Sequence, residues 1–156
     1  METTLDPVDL RILKLLQANA RISNADIARE VNMAPSAVLE RVKKLEQKKV
    51  IKQYNTAIDS SSVGQRLLAF IFIKSKEGFT CSSETAASLA AIPEVQEVHH
   101  IAGEDCFLVK VRTADSASLM SLMRNSLQKI PNILSTKTTI VLETVKEDQQ
   151  LVIPGK

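Results

Sequence analysis

Aromatic side chains are scarce in this chain: four Phe, one Tyr and no Trp make up 3% of its 156 residues. A surface that stacks unpaired bases needs several exposed rings, so the composition argues against a platform for single-stranded nucleic acid or RNA. Cysteine is as sparse. Cys81 and Cys106 stand far apart, with neither a CxxC pair nor a Cys/His ligand spacing, which argues against a zinc site and predicts two reduced structural thiols. The four glycines build neither a Gly-rich phosphate loop nor a nucleophile elbow, so no Ser/His/Asp or Cys/His catalytic set can be argued. No apolar run approaches the ~20 residues that span a bilayer, and the N-terminal residues are charged where a secretory signal would be apolar. These absences predict a cytoplasmic protein with no cofactor, no metal and no membrane segment.

What the chain does have is a well-punctuated helical pair between Ser23 and Lys52. Ser23 and Asn24 are good helix N-caps, and Ile27, Ala28 and Val31 follow on one side of a short helix. Asn32 tolerates the left-handed backbone that often ends a helix. Pro35 supplies a φ suited to a helix start, and Val38, Val42 and Leu45 form the inward stripe of a second helix. Its opposite side carries Ser36, Ala37, Glu40, Arg41, Lys43, Lys44 and Gln47. Upstream, Asp6 caps and Pro7 opens a helix with Val8, Ile12, Leu13, Leu15 and Leu16 on its apolar side, completing a three-helix core. Two short helices joined by about three or four residues form a helix-turn-helix, whose second helix enters the major groove by its N-terminal end. Residues 50–58 have β character, so the module is expected to be winged. Lys52, Gln53 and Tyr54 could touch the DNA backbone, and Tyr54 could equally pack its ring on the helices.

Charge is concentrated in the same place. Between Arg41 and Lys52 there are six basic residues and one acid, a net +5 in a chain whose total is +2. Residues 1–58 hold ten Lys or Arg against seven Asp or Glu, so a basic first third is attached to a nearly neutral remainder. That distribution suits a module that binds double-stranded DNA joined to one with a separate task. The other reading is a solvated helix face with Glu40 and Lys44 as a helical ion pair. For a DNA reader, Ser36, Ala37, Glu40 and Arg41 are the candidates for base edges, with Arg41 placed to bridge guanine O6 and N7. Lys43, Lys44, Lys48, Lys49 and Lys52, with the Ser23 and Asn24 helix start, are the candidates for phosphates.

Beyond a polar linker over 59–66, the pattern alternates between strand and helix. Leu67 to Ser75 is a strand, Ser82 or Ser83 caps a helix that Pro93 stops, and Val95 to Ile101 is a second strand. A turn at Gly103-Glu104-Asp105 leads to a third strand from Cys106 to Arg112. Asp115 or Ser116 then caps a helix carrying Leu119, Leu122, Met123, Leu127 and Ile130, and Ile133 to Thr144 supplies the last strand. The order is βαββαβ, a ferredoxin-like unit with two helices on one face of an antiparallel sheet. Ala69 to Ile73 is apolar at every position, so the other face must be covered too, most simply by a second copy. The fold class is therefore α+β: a winged helix-turn-helix over 1–58, the linker, a ferredoxin-like effector and oligomerisation domain over 67–145, and a tail over 146–156.

Paired in this order, the two modules resemble the Lrp/AsnC family of transcriptional regulators, also called feast/famine regulatory proteins. The matching residues run from Leu5-Asp6, Asp9, Ile12-Leu13, Leu16 and Asn19-Ala20-Arg21 through Ile27-Ala28, Pro35-Ser36, Arg41-Val42, Leu45-Glu46 and Val50-Ile51. They continue with Gly64, Gly103, Lys110-Val111 and Thr138-Thr139-Ile140-Val141-Leu142. The resemblance implies a cytoplasmic, nucleoid-associated DNA-binding dimer that assembles further, often to octamers, and a domain that senses amino acids or related metabolites. It places the effector near the turn Ala102-Gly103-Glu104-Asp105-Cys106, with His100 before it and Thr136, Thr138 and Thr139 as polar wall residues. Many members carry Gly, any residue, an aromatic, then Asp; here Asp105 holds the aromatic's place and Cys106 the acid's, so the carboxylate is displaced by one residue. The bland alternative is a plain hairpin turn. Two other function classes stay open: an architectural DNA-binding protein without a ligand, and, because His99 and His100 are adjacent, an enzyme like the sirohaem decarboxylases of related architecture.

Overall fold

In the computed structural model, which describes residues 4–76 and 82–154, helix α1 (Pro7–Ala18) opens on a reciprocal cap. The Asp9 N–H donates to Asp6 Oδ1 at 2.7 Å, and the Asp9 carboxylate accepts from the Asp6 N–H at 3.4 Å. Helix α2 (Asn24–Val31) starts on Ser23, whose hydroxyl accepts from the Asp26 N–H at 3.1 Å, and ends on Asn32 in the left-handed conformation, φ +53°. Three residues later α3 (Pro35–Gln47) begins after Ala34 with no side-chain cap. Pro35 lightens that omission, because its missing N–H is one orphan donor fewer. Ile12, Ile27, Ala28, Val38, Val42 and Leu45 are buried together where the three helices meet.

Within this chain residues 50–58 form no strand. Lys49 takes φ +55°, and the amides of Val50 and Ile51 both turn back to the Leu45 carbonyl, at 2.9 and 3.2 Å. Val50 and Ile51, which supplied the β character, pack on the helical core instead of pairing. Tertiary burial overrides propensity here.

The second unit is a four-stranded antiparallel sheet in the order β2-β3-β1-β4, with β1 at Leu67–Ser75, β2 at Val95–His100, β3 at Phe107–Thr113 and β4 at Ile133–Ile140. Helices α4 (Ser83–Ala90) and α5 (Ser116–Asn125) open on side-chain caps from Ser82 and Asp115. Strand alternation sends Ala69, Ile71 and Ile73, with Phe107, Val109 and Val111 opposite them, into the core shared with Leu89, Leu119 and Leu122. Leu68, Phe70, Phe72 and Leu108 therefore occupy the other face, where Lys137 Nζ lies 5.9 Å from the Phe72 ring centre. Two elements are shorter than the sequence pattern. α5 stops at Asn125, and a single 3-10 turn over Leu127–Lys129 buries Leu127. β4 stops at Ile140, because its partner β1 begins at Leu67 and the last rung is Val141 N–H to Leu68 C=O at 2.9 Å.

The polar stretch after residue 58 is folded with this second unit, which spans residues 58–145. The Asp59 carboxylate accepts from the Ser61 hydroxyl at 2.7 Å and the Ser62 N–H at 3.0 Å, and Gly64 closes the turn at φ +77°. Arg112 Nη1 donates to Ser60 Oγ at 2.9 Å, tying the turn to β3. These bonds hold Asp59 at about 2, the Ser62 contribution being the largest. The other unit comprises, among the described residues, 4–57 together with 146–154.

Candidate nucleic-acid interface and effector turn

The side of α3 turned from the core carries Ser36, Glu40, Lys43, Lys44 and Gln47, all exposed, with Ala37 half-covered. Lys48, Lys49 and Lys52 continue the exposed row. Among the described residues no ion pair engages Lys43, Lys44, Lys48, Lys49 or Lys52, so the Glu40 to Lys44 pair of the alternative reading is not made. Five unpaired ammonium groups on one short stretch form a field suited to polyanion phosphates.

Arg41 departs from its expected place. Its Nη1 donates to Asp6 Oδ2 at 2.6 Å and to Asp9 Oδ1 at 2.7 Å, and its side chain is only 30% exposed. The two carboxylates raise the guanidinium above its ordinary value, while the Asp9 amide and then Arg41 hold Asp6 below the ordinary carboxylate value. Arg41 thus fastens α3 to the start of α1. The sequence shows two acids at the start of α1, the cap Asp6 and the first-turn Asp9, but spacing alone does not say which cation crosses to them.

Ser23 and Asn24 are changed less. The Ser23 hydroxyl donates to Asp26 Oδ2 at 2.6 Å while accepting the Asp26 amide, so it is occupied as a cap; Asp26 is held low by this bond and then by Arg29. Any phosphate contact at this helix start would come from backbone amides. Tyr54 reaches α3 by its hydroxyl, which donates to Glu46 Oε1 at 2.8 Å, with the ring 47% exposed. Partial burial, then the Glu46 carboxylate, push the phenol up to about 12. Lys52 and Gln53 are exposed beside it.

In the second unit, Ala102 to Asp105 are the excursion between β2 and β3, closed by Ile101 N–H to Cys106 C=O at 2.9 Å. Ala102, Gly103 and Glu104 are exposed and Asp105 is half-buried. Cys106 is buried, donates its amide to the Ile73 carbonyl at 2.8 Å, and is disulfide-bonded. The expectation of a reduced thiol there is corrected: the sulfur is committed and offers no polar wall to a ligand. Cys81, expected to be the second structural thiol, lies outside the described residues. His99 and His100 point to opposite faces, as alternation requires. His99 Nε2 lies 3.0 Å from Glu97 Oε2, while Glu97 Oε1 accepts from Lys110 Nζ at 3.2 Å; the His100 ring sits 5.3 Å from that of Phe107. Glu97 is held below the ordinary carboxylate value by His99 first and then Lys110.

Register shows which effector candidates meet. His100 pairs with Phe107, Phe107 with Ile73, and Ile73 with Thr136, so His100 and Thr136 share a face but stand on opposite edge strands. Three strand spacings, roughly 14 Å, separate them. Thr138, one step further along β4, donates to Met123 Sδ at 3.5 Å. The turn residues and His100 form one group in this chain; Thr136 and Thr138 form another, and Thr139, paired with Phe70, lies on the opposite face of β4. Among the described residues no group of three or more His, Cys, Asp or Glu is arranged to hold a metal, and no helix is long and apolar enough to cross a membrane.

Comparison with known proteins gives the same two modules. The family model of winged helix-turn-helix DNA-binding domains matches residues 5–52, and that of the Lrp/AsnC ligand-binding domain matches residues 68–151. The leucine-responsive regulatory protein of Haemophilus influenzae is 35% identical over 96% of this chain and 90% of its own length. The HTH-type transcriptional regulator FL11 of Pyrococcus horikoshii is 37% identical over 98% of this chain and 99% of its own. Among solved structures, a transcriptional regulator of Neisseria meningitidis in complex with L-Met superposes with a TM-score of 0.87 at 28% identity, covering 96% of this chain and 97% of that one. The leucine response regulatory protein of Mycobacterium tuberculosis superposes at 0.85 with 30% identity, covering 96% and 100%. The chain belongs to the Lrp/AsnC family: it is a transcriptional regulator with a helix-turn-helix DNA-binding domain and a ligand-binding domain.

Proposed function

We propose that this regulator binds specific double-stranded DNA sites and responds to an amino acid or a related small metabolite, working as a homodimer that assembles toward an octamer. The observation that carries the DNA half is the unpaired lysine row beside a helix start with Ser36 and Glu40 exposed and Ala37 half-covered. With Arg41 engaged elsewhere, the short side chains Ser36 and Ala37 admit the helix closely to the groove, and Glu40 is placed to accept from a cytosine N4 amino group. Lys43, Lys44, Lys48, Lys49 and Lys52 would neutralise phosphates on either side.

The amino-acid reading draws on the relatives, two named for leucine and one solved with L-Met. It also agrees with the turn: exposed amides at Gly103 and Glu104 suit a carboxylate, and the half-buried Asp105 suits an ammonium group. Because His100 and Thr136 stand on opposite edges of one sheet, a site using both groups must be completed by another copy. That makes assembly and ligand binding one equilibrium.

Footprinting on a selected site and on random duplex, with each of the twenty amino acids in turn, tests the whole reading. Discrimination between the two DNAs that one amino acid alters is the expected result. Equal binding to both, unmoved by any amino acid, would establish the architectural alternative, which the displaced acid and the committed Cys106 sulfur favour.

A further inference from the structure

The chain does not end with the sheet. From residue 146 onward it belongs again to the helical unit, so it leaves that unit once, near residue 57, and rejoins it after β4. The point of return is Gln17, near the end of α1. Its Nε2 donates to the Leu151 carbonyl at 2.8 Å, and its Oε1 accepts from the Leu151 N–H at 3.0 Å. A primary amide has one donor end and one acceptor end, so it can satisfy both polar groups of a single backbone residue, as a neighbouring strand would. Just ahead of this contact, Asp148 Oδ1 accepts from the Gln150 N–H at 2.9 Å in a local turn. Past it, Ile153 is half-buried while Leu151 and Val152 stay exposed.

We propose that residues 146–153 are a strap, docked on α1 through Gln17, that gives the ligand-binding domain a second connection to the DNA-binding unit. The first connection is the chain near residue 57. The second runs from β4, which carries Thr136 and Thr138, along the tail to Gln17; from there α1 leads to Asp6 and Asp9, which hold Arg41 of α3. Two exposed hydrogen bonds are easily exchanged for water, so a free peptide of this sequence would bind α1 feebly. The tail is anchored a few residues away at the end of the sheet domain, however, and tethering raises its effective concentration enough to populate the contact. A contact that is populated and still weak has two accessible states, docked and free. Such an element can be biased from either side, by ligand at the sheet or by DNA at α3.

Amide hydrogen exchange read by mass spectrometry on the full chain, alone and with a random-sequence duplex, tests this. In the parent protein the peptide covering residues 147–153 should exchange several-fold more slowly than a free peptide of the same sequence, at a rate independent of protein concentration, and DNA should change that rate. Gln17→Ala should release the peptide and the last turn of α1, roughly three- to tenfold faster, and abolish the effect of DNA on the tail while leaving the sheet peptides unchanged. Ending the chain after Lys146 should reproduce the α1 effect. Identical tail exchange in parent and Gln17→Ala would overturn the strap. Protection that grows with protein concentration would overturn it as well, by seating the tail on another copy, and so would a tail rate indifferent to DNA in the parent chain.

Discussion

At Arg41, one guanidinium nitrogen serves two carboxylates from a different helix, so the side chain spends its charge inside the domain. Arg41→Ala should therefore lower stability by about 1 kcal/mol, a figure discounted for the exposure of the pair, and weaken all DNA sites alike. Urea midpoints and binding to a panel of single-base site variants check this; loss of preference at one base position with an unmoved midpoint would return Arg41 to the groove. Lys44 carries no such obligation, and Lys44→Ala should weaken every sequence equally and flatten the slope of log affinity against log salt by about 1. Asp59 and Asp6 set the acid limit. Both are depressed in the folded state, so their contributions are complete above the ordinary value of 3.8 and disappear as pH falls through the lower folded values, about 2 for Asp59. A carboxyl titration by NMR should find Asp59 near that value and Ser62→Ala should raise it; an ordinary value in the parent would refute the closed turn. The cap at Asp6, the cap at Ser23 and the left-handed Asn32 were all legible from residue chemistry, because each acts over about three or four positions of chain. The engagement of Arg41 was not, because it joins residues 32 and 35 positions apart.

Elements obeyed their patterns except where a partner was missing. β1, α4 and the helical pair carry their own start signals, and their periods of 2.0 and 3.6 decide their faces. β4 ends early because a strand needs a neighbour, and β1 has no residues left to offer beyond Leu67. Residues 50–58 have strand-forming side chains but no strand beside them in this chain, so Val50 and Ile51 join the helices. The turn over 59–64 is held by four local bonds or more and one long one to Arg112, so it acts as part of the sheet domain. Gly64 is the position it depends on: at φ +77° an added Cβ is strained even though the space around it is open. Gly64→Ala should cost about 1 kcal/mol and raise exchange of the turn amides without altering the helices. Unchanged thermal stability of the variant would show that the loop tolerates another path.

For the whole molecule, the unfinished surface is the sheet face that carries Phe70, Phe72 and Leu108 away from the helices. A second copy on that face should make the protein at least a dimer in sedimentation equilibrium at micromolar concentration, and Phe72→Glu should shift it toward monomer while leaving each domain folded. A monomeric parent would remove the basis for a shared effector site. The order of modules, the helix periods, the caps and the local basic charge are properties of neighbouring residues, and the amino-acid sequence sufficed for them. Long-range choices were settled only by folding: Arg41 goes to Asp6 and Asp9, Cys106 is disulfide-bonded, and the tail returns to Gln17. Each is a competition between partners distant along the chain, and only packing brings one of them within hydrogen-bonding or bonding distance.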